Sequence, residues 1–388
     1  MCVEVRCLDA ENYYKTVASY SSDLTTIEGK IGNQSYQFKI DSKLPSMDFV
    51  EAMRQNNKKF KSKFLNKEIA AISVWTTPKR TKTYPLARVY DTLSYDGTKI
   101  TIIPVIVNYG KHGEPGKIQP NTVDWMTSIG VYLILGVYVD AEKGKVGRLA
   151  KNAGIKTKSS EGKPKFAKGQ KFDLKYLQKQ IEKIIENKPN IKKWNENQLT
   201  TIPNLLGNGI TRYKRLGKKL DVPLSDFSRL EKKVELWKND PDQFLADHEK
   251  LSKGAQNRET KTGHKLEDVP GEKGKINIDF GESRKLYLTS DSMELDNDKC
   301  LVTLLEGKNA SSGKLPSEND IKEALMKLMI FKNSDFYFEG KKLEKKLVCY
   351  LTSQYYNVEE EFRVKFQSLI DECNANNIEL KLNGKIIK

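Results

Sequence analysis

Beyond residue 270 the polar and apolar residues fall into short β-like segments separated by turn signals, a pattern that restricts the C-terminal third to a sheet with a helix laid across it. Residues 275–280 (KINIDF) and 285–289 (KLYLT) alternate as half-buried strands do. The chain continues through 291–295 (DSMEL), a polar turn at 296–299 (DNDK) and an apolar strand over 300–305, which ends in Glu306-Gly307-Lys308. Ser317 can cap a helix opening at Pro316, with acids in the first turn suiting the helix dipole. That helix presents Ile321, Leu325, Leu328 and Met329 on one face, and residues 346–351 (KLVCYL) supply a last strand. With the helical stretch that precedes it, the order is helix, three strands, helix, strand.

The hairpin fixes which side chains meet. A turn at 296–299 places Asp291 opposite Leu304, and side chains two apart share a face, so Leu304, Glu306 and Lys308 lie on the Asp291 side. Glu294 then points to the other face; a slip of one residue would exchange the two, which keeps Glu294 as the reserve acid. Two carboxylates and a lysine on one face suit phosphodiester hydrolysis. The carboxylates can hold Mg²⁺, a hard ion that prefers oxygen and keeps several waters. A metal there stabilises charge on phosphoryl oxygens and lowers the pKa of bound water, while a lysine orients or deprotonates that water.

Glu-Gly-Lys occurs four times, so context decides. Glu28-Gly-Lys30 precedes a Gly-Asn turn signal, Glu161-Gly-Lys163 lies in a basic loop, and Glu339-Gly-Lys341 reads as a turn between an aromatic run and a lysine run. Only Glu306-Gly-Lys308 ends an apolar strand, follows an acid by 15 residues and precedes a capped helix. The alternative is a surface turn with solvated charges.

The rest of the chain reads as mixed α and β. Residues 69–75, 99–107 and 129–139 are apolar or β-branched strands, with Pro104 marking a bulge or edge and a helix over 121–129. The longest apolar run, 129–139, is too short to span a bilayer, so no membrane association is expected, and a reducing cytoplasm suits the scattered Cys2, Cys7, Cys300, Cys349 and Cys373. With only His112, His248 and His264, a histidine-based or zinc centre is not indicated. Residues 141–170 carry nine Lys or Arg against Glu142 and Glu161, a basic loop or linker. Helical spacing follows over 172–187 and 224–253. These shifts suggest an α/β unit over 1–140, a basic loop and helical region over 141–245, and a C-terminal core over 246–388.

Charge points to the partner. Sixty-seven Lys and Arg against 51 Asp and Glu leave a net charge of +16, which suits a polyanion because phosphate contacts release condensed counterions. Lys79, Arg80, Lys143, Lys145, Arg148, Arg212, Lys214 and Arg215 are the candidate nucleic-acid contacts; the last three flank Tyr213 in TRYKRLGKK. Asp124 and residues 140–143 (DAEK) could mark a second acidic site, but helix-surface and strand-end charge explains them more simply.

Asp291 followed by Glu306-x-Lys308 on the next strand, within an α-β-β-β-α-β order, resembles the PD-(D/E)XK nuclease superfamily, which includes most type II restriction endonucleases. The resemblance implies that Asp291 and Glu306 bind Mg²⁺, that the Gly307 carbonyl is a further ligand, and that Lys308 serves the attacking water. Glu259, at the end of the preceding helix (AQNRE), matches the place of an accessory acid. Ser290 stands where the superfamily often has proline before the first acid. Residues 84–106 and 122–138, with AQNRE and LLEGKNA, are similar in patches to one group of type II restriction endonucleases. The function implied is Mg²⁺-dependent, site-specific cleavage of double-stranded DNA by a homodimer, with a methyltransferase of matching specificity as genetic partner. A repair, recombination or RNA nuclease with the same core, or a basic nucleic-acid binder without catalysis, are the alternatives.

Overall fold

A computed structural model describes residues 24–32, 35–80, 84–110, 114–143, 168–261, 269–279, 284–310, 315–353 and 359–387. The first half runs β1 (Thr26–Ile31), α1 (Phe49–Arg54), β2 (Lys59–Lys63), β3 (Ile69–Val74), α2 (Pro85–Leu93), β4 (Thr98–Pro104), β5 (Ile106–Val107), β6 (Gly116–Lys117), α3 (Pro120–Ser128), β7 (Tyr132–Gly136), β8 (Tyr138–Glu142) and β9 (Lys168–Phe172). Four helices follow: α4 (Leu174–Asn187), α5 (Ile191–Leu220), α6 (Ser228–Asn239) and α7 (Pro241–Lys261). The remainder is β10 (Gly274–Asp279), β11 (Lys285–Ser290), β12 (Ser292–Asp296), β13 (Leu301–Asn309), α8 (Glu318–Lys332), β14 (Ser334–Phe338), β15 (Lys341–Thr352), α9 (Glu359–Ala375), β16 (Ile378–Leu382) and β17 (Lys385–Ile387). The protein is thus mixed α and β.

The first sheet has the order β2-β3-β4-β7, with β3, β4 and β7 parallel and β2 antiparallel. Parallel strands are covered on both faces, which is why Ile100, Ile102, Ile103, Leu133, Ile134 and Leu135 are all buried. Helices α2 and α3 are the crossovers, each opened by a proline whose missing N–H has no partner to lose there. The strand expected over 129–139 is divided: β7 stops at Gly136, where a side chain would collide with the Phe172 ring, and β8 starts at Tyr138. Helix α5 covers the β7 edge. Its buried amides do the work of a neighbouring strand: Asn195 accepts from Leu133 N (2.8 Å) and donates to Val131 O (2.9 Å), and Gln198 accepts from Leu135 N (3.1 Å). The helix expected over 224–253 is two, α6 and α7, because Pro241 cannot continue α6 and Asp240 caps α7 through Gln243 N at 2.9 Å.

The second sheet has nine strands. Its main path is β11-β10-β1-β14-β15-β13-β12, with β16 and β17 joined through β15. β10 and β11 are antiparallel, β12 and β13 are antiparallel, and β15 runs parallel to β13 after the α8 crossover. β11 and β12, the two ends of the path, are consecutive in the chain and separated only by Asp291. Strand β1 inserts between β10 and β14, so residues near the start of the chain complete this sheet. One connected body of buried side chains spans both sheets, from Ile72 and Ile100 to Leu304 and Phe331. Among the described residues no helix is long and apolar enough to cross a membrane.

Candidate active site

Asp291 and Glu306 come together through the β12–β13 hairpin, in a register that differs from the expected one. Asp296 pairs with Leu301 and Ser292 with Leu305, so the ladder is displaced by two residues from a turn at 296–299. The cause is local: Asp296 stays in the strand, its carboxylate accepts Lys299 N (3.1 Å) across the loop, and Cys300 takes a left-handed conformation (φ 48°) to close it. A shift of two preserves which face each residue occupies. Asp291 lies one residue before this ladder, beside Leu305, Glu306 and Gly307 rather than Leu304. The Asp291 N–H donates to Leu305 O (3.0 Å) and the Gly307 N–H donates to Asp291 Oδ2 (2.9 Å), which ties the acid to β13. Glu294 pairs with Thr303, is exposed, and points away from this face, as expected.

Glu306 is 4% exposed. Lys308 Nζ lies 3.6 Å from its Oε1, and Lys327 Nζ, from α8, lies 2.7 Å from its Oε2. Burial, and then the neighbouring Asp291 charge, push the Glu306 carboxyl up to about 7, against the pull of Lys327 and Lys308. Burial also acts to raise Asp291, but Lys327, the Gly307 N–H and Lys308 outweigh it and hold that carboxyl below its ordinary range. Lys327 is held above the usual lysine range: burial alone would lower it, and Glu306, Asp291 and Glu259 more than offset this. Glu259, in the last turn of α7, is likewise depressed despite burial, by Lys327 and Arg80 among others. α7 is held in place by Gln256, whose amide reaches Leu288 O (2.6 Å) and Ile276 O (3.2 Å) on β11 and β10.

The first half of the chain also reaches this region. Arg80, just past β3, has its guanidinium 5.0 Å from the Trp125 ring centroid and within the fields of Glu259 and Glu323. Glu323 is pushed up to about 7 by burial, opposed by Lys308 and Arg80, and its Oε1 is buried with no hydrogen-bond partner. The result is a mixed cluster of Glu259, Asp291, Glu306 and Glu323 with Arg80, Lys308 and Lys327. It is assembled from α7, the β11–β12 junction, β13, α8 and the segment after β3.

The donor set suits one divalent cation. Asp291 commits Oδ2 to a backbone N–H and keeps Oδ1, and Glu306 carries a carboxyl whose ionisation is resisted by another carboxylate, a conflict that a cation relieves. In a strand the N–H and C=O of one residue point to the same side, so the Gly307 carbonyl lies along the edge facing Asp291. Among the described residues no three His, Cys, Asp or Glu side chains converge on one point. The protein would therefore give two carboxylates and a carbonyl and leave the other positions to water and a phosphate oxygen, an arrangement common for Mg²⁺. A Cβ at Gly307, between the two charged residues, would come within 2.7 Å of Val269 Cγ2, so a larger residue there would have to displace the Val269 side chain.

Lys327 and Glu323 are absent from the sequence reading. The signal for them is the near-complete burial of α8, with Ile321, Ala324, Leu325, Met326, Leu328 and Ile330 pointing all round it. Charged residues on such a helix must find buried partners. Of the basic candidates, Lys79 is exposed with its ammonium 5.5 Å from the Tyr109 ring centroid, and Lys143 lies 3.6 Å from an Asp221 carboxylate oxygen. Arg212, Lys214 and Arg215 lie on the outer face of α5, Lys214 paired with Glu231 at 2.6 Å, while Tyr213 is buried and turned inward, so this basic run and its aromatic share no surface. Lys145, Arg148 and Glu161-Gly-Lys163 lie outside the described residues. Asp124 is buried 3.4 Å from Arg284, which also contacts Glu196 at 3.2 Å, and burial pushes its carboxyl up to about 6. Asp140 pairs with Lys219 at 3.2 Å.

No protein-family model, no curated protein and no solved structure matches this chain.

Proposed function

We propose that the protein is a Mg²⁺-dependent endonuclease of the PD-(D/E)XK type that hydrolyses phosphodiester bonds of double-stranded DNA, as a site-specific restriction enzyme. The observation that carries this reading is the apposition of Asp291 and Glu306, with Lys308 on the Glu306 face, where β12 meets β13. It occurs in the order α7, β10, β11–β12, β13, α8, β14, β15, so an additional strand, β14, stands between the helix and the strand that runs parallel to β13. The net charge of +16 agrees with a polyanionic substrate.

Asp291 and Glu306, with the Gly307 carbonyl, would hold the cation. When bound, it would stabilise charge on the phosphoryl oxygens and acidify a water. Lys308, 3.6 Å from Glu306 Oε1, would orient the attacking water and take part in its deprotonation. Lys327 neutralises Glu306 from the protein side and fixes its rotamer, and Asp291 is fixed by the Gly307 N–H. In-line attack by water leaves 5′-phosphate and 3′-hydroxyl ends. Two-fold DNA sites favour a homodimer, and a cognate methyltransferase would protect host DNA in the cytoplasm.

The test is incubation of plasmid DNA with Mg²⁺. Discrete bands support a restriction enzyme, smears a nonspecific nuclease, and a mobility shift alone a binder. Glu306→Ala and Lys308→Ala should each lose cleavage with DNA binding retained; wild-type rates in either variant would remove this site from the chemistry.

A further inference from the structure

A cavity of about 710 Å³ opens in the first half of the molecule, beyond the carboxyl ends of β3 and β7. Its size is in the range of small-molecule sites, and the crevice past the carboxyl ends of parallel strands is where α/β sheets receive ligands. Val74 and Tyr138 form part of its floor, and the turn between α1 and β2 brings Arg54 and Lys58 to its wall. Arg88 adjoins the same floor, its Nη1 donating to Val74 O at 3.2 Å.

The charges at this wall are not balanced. Burial, and then Arg88, push the Lys58 ammonium down to about 8, and burial lowers Arg88 as well. Among the described residues neither cation has a carboxylate within ion-pair distance. The acids on the opposite side of the cavity are already engaged, Asp140 by Lys219 at 3.2 Å and Glu142 by Lys171 at 3.9 Å. A part-buried lysine on the wall of an open cavity, with a second cation behind the floor, is stabilised by an anion bound in that cavity.

We propose that this cavity is a second site, separate from the acidic cluster, that binds a phosphate-bearing ligand through Lys58 and Arg54 on its wall, with Arg88 behind its floor adding to the positive field. A phosphodiester of a bound nucleic-acid strand and the phosphate of a free mononucleotide present the same chemistry.

The experiment uses the full chain in EDTA, so that binding is read whether or not the protein cuts DNA. Inorganic phosphate and thymidine 5′-monophosphate are titrated calorimetrically, and a short duplex is followed by fluorescence anisotropy over a salt series. Lys58→Gln should weaken at least one probe tenfold or more, and Lys58→Arg should restore it. A loss confined to the duplex, with a salt slope shallower by about one, assigns the site to a phosphodiester; a loss for phosphate and the mononucleotide assigns it to a free nucleotide. Arg54→Gln, at an exposed position, repeats the test without burdening the fold. Wild-type affinity for all three probes in both neutral variants, or no binding of any probe by the wild type, overturns the proposal. Failure to cleave plasmid leaves it standing.

Discussion

Helix α8 carries two lysines turned into the protein, the buried Lys322 and the part-buried Lys327, and they sit in opposite electrostatic situations. Lys322, 3% exposed, lies 2.5 Å from both Asp91 Oδ1 and Glu318 Oε1, and Lys59 also pairs with Asp91. Two acids meet two bases, and Asp91 accepts a further hydrogen bond from Ser42 at 2.7 Å. Burial alone would raise the Asp91 carboxyl, but its donors Lys322, Lys59 and Ser42 hold it below the ordinary range. Lys327, 11% exposed, faces Glu306 at 2.7 Å while Asp291 and Glu259 also draw on it, and the Glu306 carboxyl stands near 7. The first cluster is closed and joins α2 to α8. The second holds more negative charge than its lysines satisfy, the condition in which one more cation is favourable.

The largest expected effects separate these two roles. Glu306→Ala should reduce cleavage by about a thousandfold or more, several kcal/mol of transition-state stabilisation, with a smaller loss in the chemical-denaturation midpoint than Lys322→Ala, because Asp291 and Glu259 remain to face Lys327. Lys322→Ala should do the reverse. Removing one partner of a buried ion pair costs about 3–5 kcal/mol, seen as a lower midpoint, while turnover per folded molecule is kept. If Lys322→Ala instead abolished cleavage in folded protein, the Asp91 cluster would belong to the active site and the contrast would fail.

Next in size are the pH dependences, which should have opposite signs. In EDTA, the Glu306 carboxyl has a folded pKa raised to about 7. The folded state therefore binds more protons than the unfolded chain between about pH 4.3 and 7, and this group's contribution to stability falls as pH rises through that window. Glu306→Gln removes the ionisation, so the metal-free variant should lose this decline in stability between about pH 4.3 and 7. Asp91, held below its ordinary range, contributes stability above the unfolded value that is lost as pH falls through its folded pKa. Asp91→Asn should flatten the acid limb and leave the neutral region unchanged in slope. Melting curves of both variants across pH decide this, and slopes of the same sign would refute the assignment.

How much of this is legible in the sequence depends on how local each signal is. The C-terminal hairpins alternate with period two, so β10, β11, β13 and α8 lie close to where the sequence puts them. Asp291, Glu306 and Lys308 come with them because a slip of two preserves the face. Strand β1 is hidden, since it carries a Glu-Gly-Lys before a turn signal and its partners β10 and β14 are some 250 to 300 residues away. β14 reads only as the flank of a turn; the turn at Glu339 and Gly340 is real, with positive φ at both residues. Helix α5 escapes because Pro203 lies inside it, and proline is expected to break a helix. Lys327 escapes for another reason: its importance comes from what it faces across β13, which periodicity within α8 does not encode.

The smallest effect is also the sharpest check on the hairpin. Glu294 and Asp291 are three residues apart on one strand segment, and the observed register gives them opposite fates: Asp291 tied to the Gly307 N–H, Glu294 exposed beside Thr303. Glu294→Ala should change cleavage less than twofold and stability by under about 0.5 kcal/mol, as substitutions away from special features do. Asp291→Ala, by contrast, should fall with Glu306→Ala, and the double variant should be no worse than either single one, because both would remove the same proposed cation-holding unit. The register slip of one residue that sequence alone leaves open predicts the reverse ranking. Cleavage rates of these single variants and the double one therefore test the pairing of β12 with β13 through its chemistry.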